Sequence, residues 1–420
     1  MLIQWASQRL LPSLDLSFVG GDSLDSRVTF TRASSGMRVD STGTLVSMGT
    51  DAPRFDYDPL TLAIKGLLIE EQRSNILLWS EQFDNAGGWS KAGCTITANA
   101  INSPDGTQTA DALVEDGTTG LHLAQQFVSF TSGTAYTLSL MVKPGARSWI
   151  ELLLPAAAFG ASQGGFYNLS GAGALGTTVG TPTSRTITQL ANGWYLITVT
   201  ASATATAGGN VAIVAASADN TASYAGSNGS VALYPWGADL QVGAFRTSYI
   251  PTTTAAATRA ADVAVVSSLA GWFNSAQGTL LAEFIPNAPA SSATNQYIAA
   301  LSDNSLSNRV SMFRVPSTGL QANRITSAGT GANPGDGAAS TTAAVNKVAI
   351  AYGAGTNQGG ASVNGGVVTL SSPAAVPTGI SQLSLGCSES TSAAYLNGWL
   401  RRIPYYPTRL PDSTIRALTS

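Results

Sequence analysis

The chain has 420 residues, enough for two or three domains that each bury a core. Only 11% of them are charged, against roughly 25% in ordinary globular proteins, and the net charge is −3. That balance gives no electrostatic footprint for nucleic acid, and no apolar run is long enough for a membrane-spanning helix.

The N-terminus MLIQWASQRLLPSLDLSF lacks the charged start, apolar centre and cleavage site of a secretory signal. If the protein leaves a cell, lysis or particle release is therefore the expected route. Helical spacing is confined to 1–11, 269–274 and 412–418, the last starting where Pro411 precedes Asp412. Nearly everything else alternates with period two and is cut by Gly, Asn and Pro, which predicts antiparallel sandwiches or barrels.

Residues 1–74 read as an extended leader with short strands at 28–32 and 44–47, and Pro53 and Pro59 mark turns. Arg27, Arg32, Arg38, Arg54 and Arg73 alternate there with Asp25, Asp40, Asp51, Asp56 and Asp58. Mixed signs at this density suit interchain or leader-to-domain ion pairs. Phe30, Phe55, Tyr57 and Leu67 to Ile69 need burial that a leader alone does not supply. The segment thus reads as a docking arm, with Phe30, Arg32, Arg54, Phe55, Tyr57 and Arg73 as its contact residues. A solvated loop is the alternative.

Residues 75–250 read as a first sandwich, with strands at 95–98, 121–130, 136–143, 149–154, 165–168, 185–190, 194–200, 210–216 and 231–241. PTTTAAATRAADV, residues 251–263, reads as a linker. Residues 264–420 read as a second sandwich, with strands at 279–285, 296–301, 309–315, 346–352, 360–364, 367–370, 382–387 and 398–405. Asn364-Gly365 predicts a tight hairpin. In YLNGWLRRIPYYP, strict alternation puts Trp399 and Arg401 on one face and Leu400 and Arg402 on the other. Cys94 and Cys387 fall in different domains and read as buried free thiols.

The motifs VTFTRASS, APRFDYDP and GLLIEEQRSNILL resemble the leader of a family of tailed-bacteriophage virion proteins of the tail-fibre, spike or head-fibre type. Ser74 and Ile76 stand where that pattern has Thr and Leu. PDGTQTAD and LYPWGADLQVGAFRTSYIPT resemble carbohydrate-binding jelly rolls, and the NGG hairpin followed by LNGWLRRIPYYPTRL resembles concanavalin-A-like, laminin-G-type modules. The resemblance implies an all-β chain, usually a homotrimer, that partners other virion proteins and a bacterial surface glycan. It also implies location in the virion. No coiled-coil heptads are present to form a trimer stalk.

Catalysis is hard to seat. The one histidine, His122, shares a strand face with Ala124 and Gln126, and no GxSxG elbow supplies a nucleophile. It reads as a partly exposed strand residue. Adjacent acids such as Glu70 and Glu71 point to opposite sides of a strand, which disfavours a glycosidase pair. No cofactor is expected beyond the structural Ca2+ that the jelly-roll resemblance allows, with Asp105, Asp111 and Asp239 as candidate ligands; Asx turns are the alternative use of such residues. Trp89, Trp149, Trp194 and Trp236 each read as core. Tyr224 and Asn228, in a loop, and Tyr167 are the candidate sugar contacts. Three functions are thus in view: a non-enzymatic tail-fibre or spike adhesin, a head-fibre or capsid-decoration protein, and a glycan depolymerase.

Overall fold

The computed structural model describes residues 11–289, 294–390 and 394–420, so most of the helix expected at 1–11 lies outside the described residues. Strands dominate, as the alternation requires. Four large antiparallel sheets pair into two β-sandwiches.

One sheet of the first sandwich runs Ser184–Gln189, Tyr195–Ser202, Ala135–Pro144, Val231–Val242, Ala110–Glu115, Cys94–Ile101. The other runs Ala174–Val179, Gln163–Asn168, Trp149–Leu154, Ala207–Ala216, Thr119–Phe130, Ser223–Ala225. Leu138, Leu140, Ile150, Leu152, Ile197 and Ile213, inward on alternate positions, fill the space between them.

The second sandwich is not made from the C-terminal residues alone. In one of its sheets, Gly398–Tyr406 pairs on one side with Gln277–Pro286. Its other side takes two strands of the leader, Leu14–Ser17 and Ile64–Ile69, and Phe55–Tyr57 adds beyond. The opposite sheet takes Thr29–Thr31 as an edge strand on Val263–Val266. Leu14, Leu16, Phe30, Phe55, Leu67 and Ile69 are all in the core of this sandwich. Of the expected interchain or leader-to-domain contacts, these are leader-to-domain: the apolar residues that needed burial find it in the second sandwich, so 1–74 is not a unit separate from it. Gly66 shows how close the fit is, because a Cβ on it would lie 2.1 Å from the Leu400 carbonyl, at a φ of +132°.

A buried ion cluster fastens this leader. Asp262 accepts Arg32 Nη1 at 3.2 Å, pairs with Arg54 Nη2 and accepts the Glu70 backbone N–H at 2.9 Å. Glu70 in turn meets Arg54 Nη1 at 2.9 Å and Arg259 Nε at 3.5 Å, and accepts from Ser248 N–H and Oγ–H. Burial alone would raise the Glu70 pKa, but Arg259 and Arg54 outweigh it and bring it to about 2. Arg259 and Asp262 lie in the stretch expected to be a linker, yet both are buried, and Ala257–Arg259 is a strand paired with Arg73–Asn75.

Two local expectations also change. Residues 269–274 form turns instead of a helix, with Trp272 held by its indole N–H on the Ser268 carbonyl. A bulge at Arg401 breaks the alternation of the Gly398–Tyr406 strand, so Leu400 enters the core while Arg402 reaches outward to Asp15. The C-terminal helix is present as Asp412–Thr419. The hairpin at Asn364-Gly365 is present too, with φ of +48° and +72°.

Candidate functional site

The hairpin Gly36–Val39 and Leu45–Met48 lies over the outer face of the first sandwich. Met37 packs there with Met141, Trp194, Trp236 and Tyr249. Beside this patch a cleft of about 660 Å³ opens between the leader and the two sandwiches. Leu45, Ile101, Leu190 and Tyr234 are its half-buried apolar walls, and Trp399 reaches it from the C-terminal strand.

Local backbone chemistry builds the rim. Asn192 and Gly193 take φ of +57° and +76°, a turn closed by Leu190 N–H on the Trp194 carbonyl at 2.7 Å. That turn sets Leu190 at the mouth and Trp194 beneath it. On the leader side, Asp40 accepts from Thr42 N–H and Thr44 N–H at 2.9 and 3.0 Å, and Gly43 approaches the Pro59 carbonyl closely enough that a Cβ would lie 2.9 Å away.

Charged groups ring the apolar floor. Asp56 is buried, accepting Val39 N–H at 2.7 Å and Trp399 Nε1–H at 2.9 Å, and burial pushes its pKa upward against Lys65 and these donors. Lys65 Nζ stands 4.5 Å from the Trp399 ring centroid, a cation–π contact. Lys143 and Arg246 also line the cleft. An apolar floor with a few convergent polar groups is the usual make-up of a small-ligand site, and suits a molecule with both hydroxyls and apolar faces.

The expected sugar contacts lie elsewhere. Tyr167 is fully buried and donates its hydroxyl to the Thr198 carbonyl at 2.7 Å. Tyr224 is in a strand, not a loop: its ring stacks on His122 at 4.6 Å, and its hydroxyl donates to Glu115 at 2.6 Å. Arg147 closes the same knot by a two-point contact with Glu115, whose carboxyl it helps hold, against burial, at about 2. Asn228 is exposed in the following turn. His122, expected to be partly exposed, is fully buried.

The expected calcium ligands do not converge. Among the described residues no three His, Cys, Asp or Glu groups are placed to hold a metal ion. Asp105 accepts Thr107 N–H at 2.9 Å in an Asx turn, and Asp111 accepts Phe83 and Asn99 N–H at 2.7 and 2.9 Å. Asp239 accepts from Gln241 Nε2 and Ile250 N–H, and burial raises its carboxyl to about 7. Of the expected docking contacts, Phe30, Phe55, Arg32 and Arg54 are buried. Tyr57 donates to Asp22 at 2.7 Å, and Arg73 pairs with Glu71 under Phe245. Trp89, Trp194 and Trp236 are core as expected, while Trp149 is half-buried. Both thiols are free; Cys387 is buried and Cys94 only half-buried.

The cleft residues escaped the sequence because they come from nine separate segments between Met37 and Trp399 with no shared spacing. The only signals were the aromatic residues that follow turns, at Trp194 and Trp399.

No protein-family model matches the chain, and no curated protein matches it. Among solved structures it is similar to the Ruminococcus gnavus IT-sialidase CBM40 bound to alpha2,3 sialyllactose, at 15% identity over 35% of this chain and 84% of that chain, with a TM-score of 0.28. It is similar to the NanB sialidase of Streptococcus pneumoniae at 18% identity, over 36% of this chain and 25% of that chain, with a TM-score of 0.29. Mouse laminin alpha1 chain, domains LG4-5, is similar at 10% identity over 79% of this chain and 92% of that chain, with a TM-score of 0.23. These likenesses carry no ligand or activity across to this chain.

Proposed function

We propose that this chain is a non-enzymatic glycan-binding component of a bacteriophage virion, and that the cleft between leader and sandwiches holds the saccharide. The observation that carries the reading is the cleft itself: about 660 Å³, floored by apolar and aromatic side chains and ringed by hydroxyl and charged groups. The virion assignment rests on the leader motifs that resemble phage virion proteins, and a tail-fibre or spike position is preferred to capsid decoration. Other virion proteins, and further copies of the chain, are its proposed partners.

The intact protein is to be screened on an array of bacterial surface polysaccharides and for adsorption to host cells, beside Thr188→Trp and Leu190→Trp, which fill the cleft mouth. Binding lost in both folded variants supports the reading. Silence on array and cells, or binding that both variants retain, overturns the cleft. Release of reducing ends from a bound polysaccharide overturns the non-enzymatic part. Immunogold labelling of capsid capsomers moves the protein from tail to head.

A further inference from the structure

Two cations in the cleft walls have no hydrogen-bonded or ion-paired partner among the described residues. Arg246 Nε is buried with no hydrogen-bond partner, and its guanidinium joins no ion pair among the described residues. Lys143, half-buried on the Ala135–Pro144 strand, likewise makes no hydrogen bond or ion pair among the described residues. Arg246 is half-buried, so an acceptor that a ligand brings to its guanidinium gains more there than at an exposed surface.

The nearby carboxylates do not fill that role. Glu70 is taken by Arg54 and Arg259. Asp56 spends its oxygens on Val39 and Trp399. Asp239 has the largest charge interaction with Arg246, ahead of Glu70 and Asp56, but its hydrogen bonds, from Gln241 and Ile250, both fall on Oδ2, and no hydrogen bond or ion pair joins it to Arg246 among the described residues. The cleft walls carry Arg38, Lys65, Lys143 and Arg246 against Asp56, Asp58 and Glu70, a positive balance in a chain whose net charge is −3.

Lys143 stands opposite Tyr234, whereas Ser139, four residues back, stands opposite Asp239, the carboxylate with the largest charge interaction with Arg246. At about 3.3 Å per residue these two strand positions are roughly 13 Å apart.

We infer that the cleft recognises an acidic oligosaccharide, with negatively charged groups on two of its sugars meeting Lys143 and Arg246. This rests on the cleft being the glycan site. The strongest array ligand is to be prepared as an oligosaccharide and compared by calorimetry with its carboxyl-reduced, or where phosphorylated its dephosphorylated, counterpart. The acidic form should bind at least ~10-fold more tightly and lose affinity with added salt. Lys143→Gln and Arg246→Gln should each weaken it roughly tenfold, a larger loss than either causes for the neutral counterpart. A neutral best ligand, or equal binding of charged and neutral forms, overturns the inference while the cleft reading survives. Binding of any form that ignores Thr188→Trp and Leu190→Trp removes both.

Discussion

Asp56 of the leader accepts the indole N–H of Trp399 at 2.9 Å, although 343 positions separate the two residues. The bond joins the two ends of the chain across the wall of the cleft. It identifies the leader as part of the second sandwich, and the consequences can be measured.

A chain lacking residues 1–69 should retain a folded first sandwich and lose the second. The deletion strips Leu14–Ser17, Thr29–Thr31, Phe55–Tyr57 and Ile64–Ile69 from two sheets and opens their core. Thermal unfolding of residues 251–420 alone should show no cooperative transition. A normal melt of that fragment would refute the leader's structural role.

Arg54→Met should destabilise the protein by about 3–5 kcal/mol, because it leaves Glu70 and Asp262 buried with too little positive charge. Urea unfolding measures this through the midpoint. A double change to Arg54→Met with Glu70→Gln should recover part of the loss, which a simple packing defect would not.

Acid should unfold the second sandwich's junction through Glu70. Its carboxyl is held near 2 in the fold, against ~4.3 for an unfolded chain. The unfolded state therefore binds the proton first, and the contribution is complete above about pH 4.5 and lost as pH falls toward 2. Glu115, also held at about 2, adds in the same direction and window. Melting temperature between pH 6 and pH 2.5 should fall less steeply in Glu70→Gln.

Asp239 acts with the opposite sign. Its pKa of about 7 lies above the unfolded ~3.9, so the folded state holds the extra proton and stability falls as pH rises from about 4 to 7. Asp239→Asn keeps an acceptor for Gln241 and Ile250 and puts an amide where Oδ1 has no partner. The variant should melt higher than the parent at pH 8 and equal to it near pH 4. Equal melting at both would show that burial does not perturb this carboxyl.

Period-two alternation made most strands legible, because a strand between a core and water writes its own pattern: Ala135–Pro144 and Trp149–Leu154 were readable to within a residue. The leader was not. Leu14–Ser17 and Ile64–Ile69 both pair with a strand near the far end of the chain, and Phe55–Tyr57, only three residues long, joins the sheet through Ile64–Ile69, so no local pattern announces it. The leader's charges showed that ion pairs were needed but not that Asp262 would take them. Tyr224 looked like an exposed loop residue because Gly and Ser surround it; His122 and Arg147, brought to it by the fold, pack against its ring.

The pairing of Ile64–Ile69 with Gly398–Tyr406 also orders events during synthesis. At ~5–20 residues per second, the first strands wait on the order of 15–70 s for their partner to leave the ribosome. The first sandwich, contiguous from its own strands, can form meanwhile. Until the last segment arrives, Leu67, Leu68 and Ile69 present an unpaired apolar edge to every nascent copy nearby. The chain should therefore depend on holdase chaperones during translation, and slowing the final segment should raise aggregation without changing the finished protein.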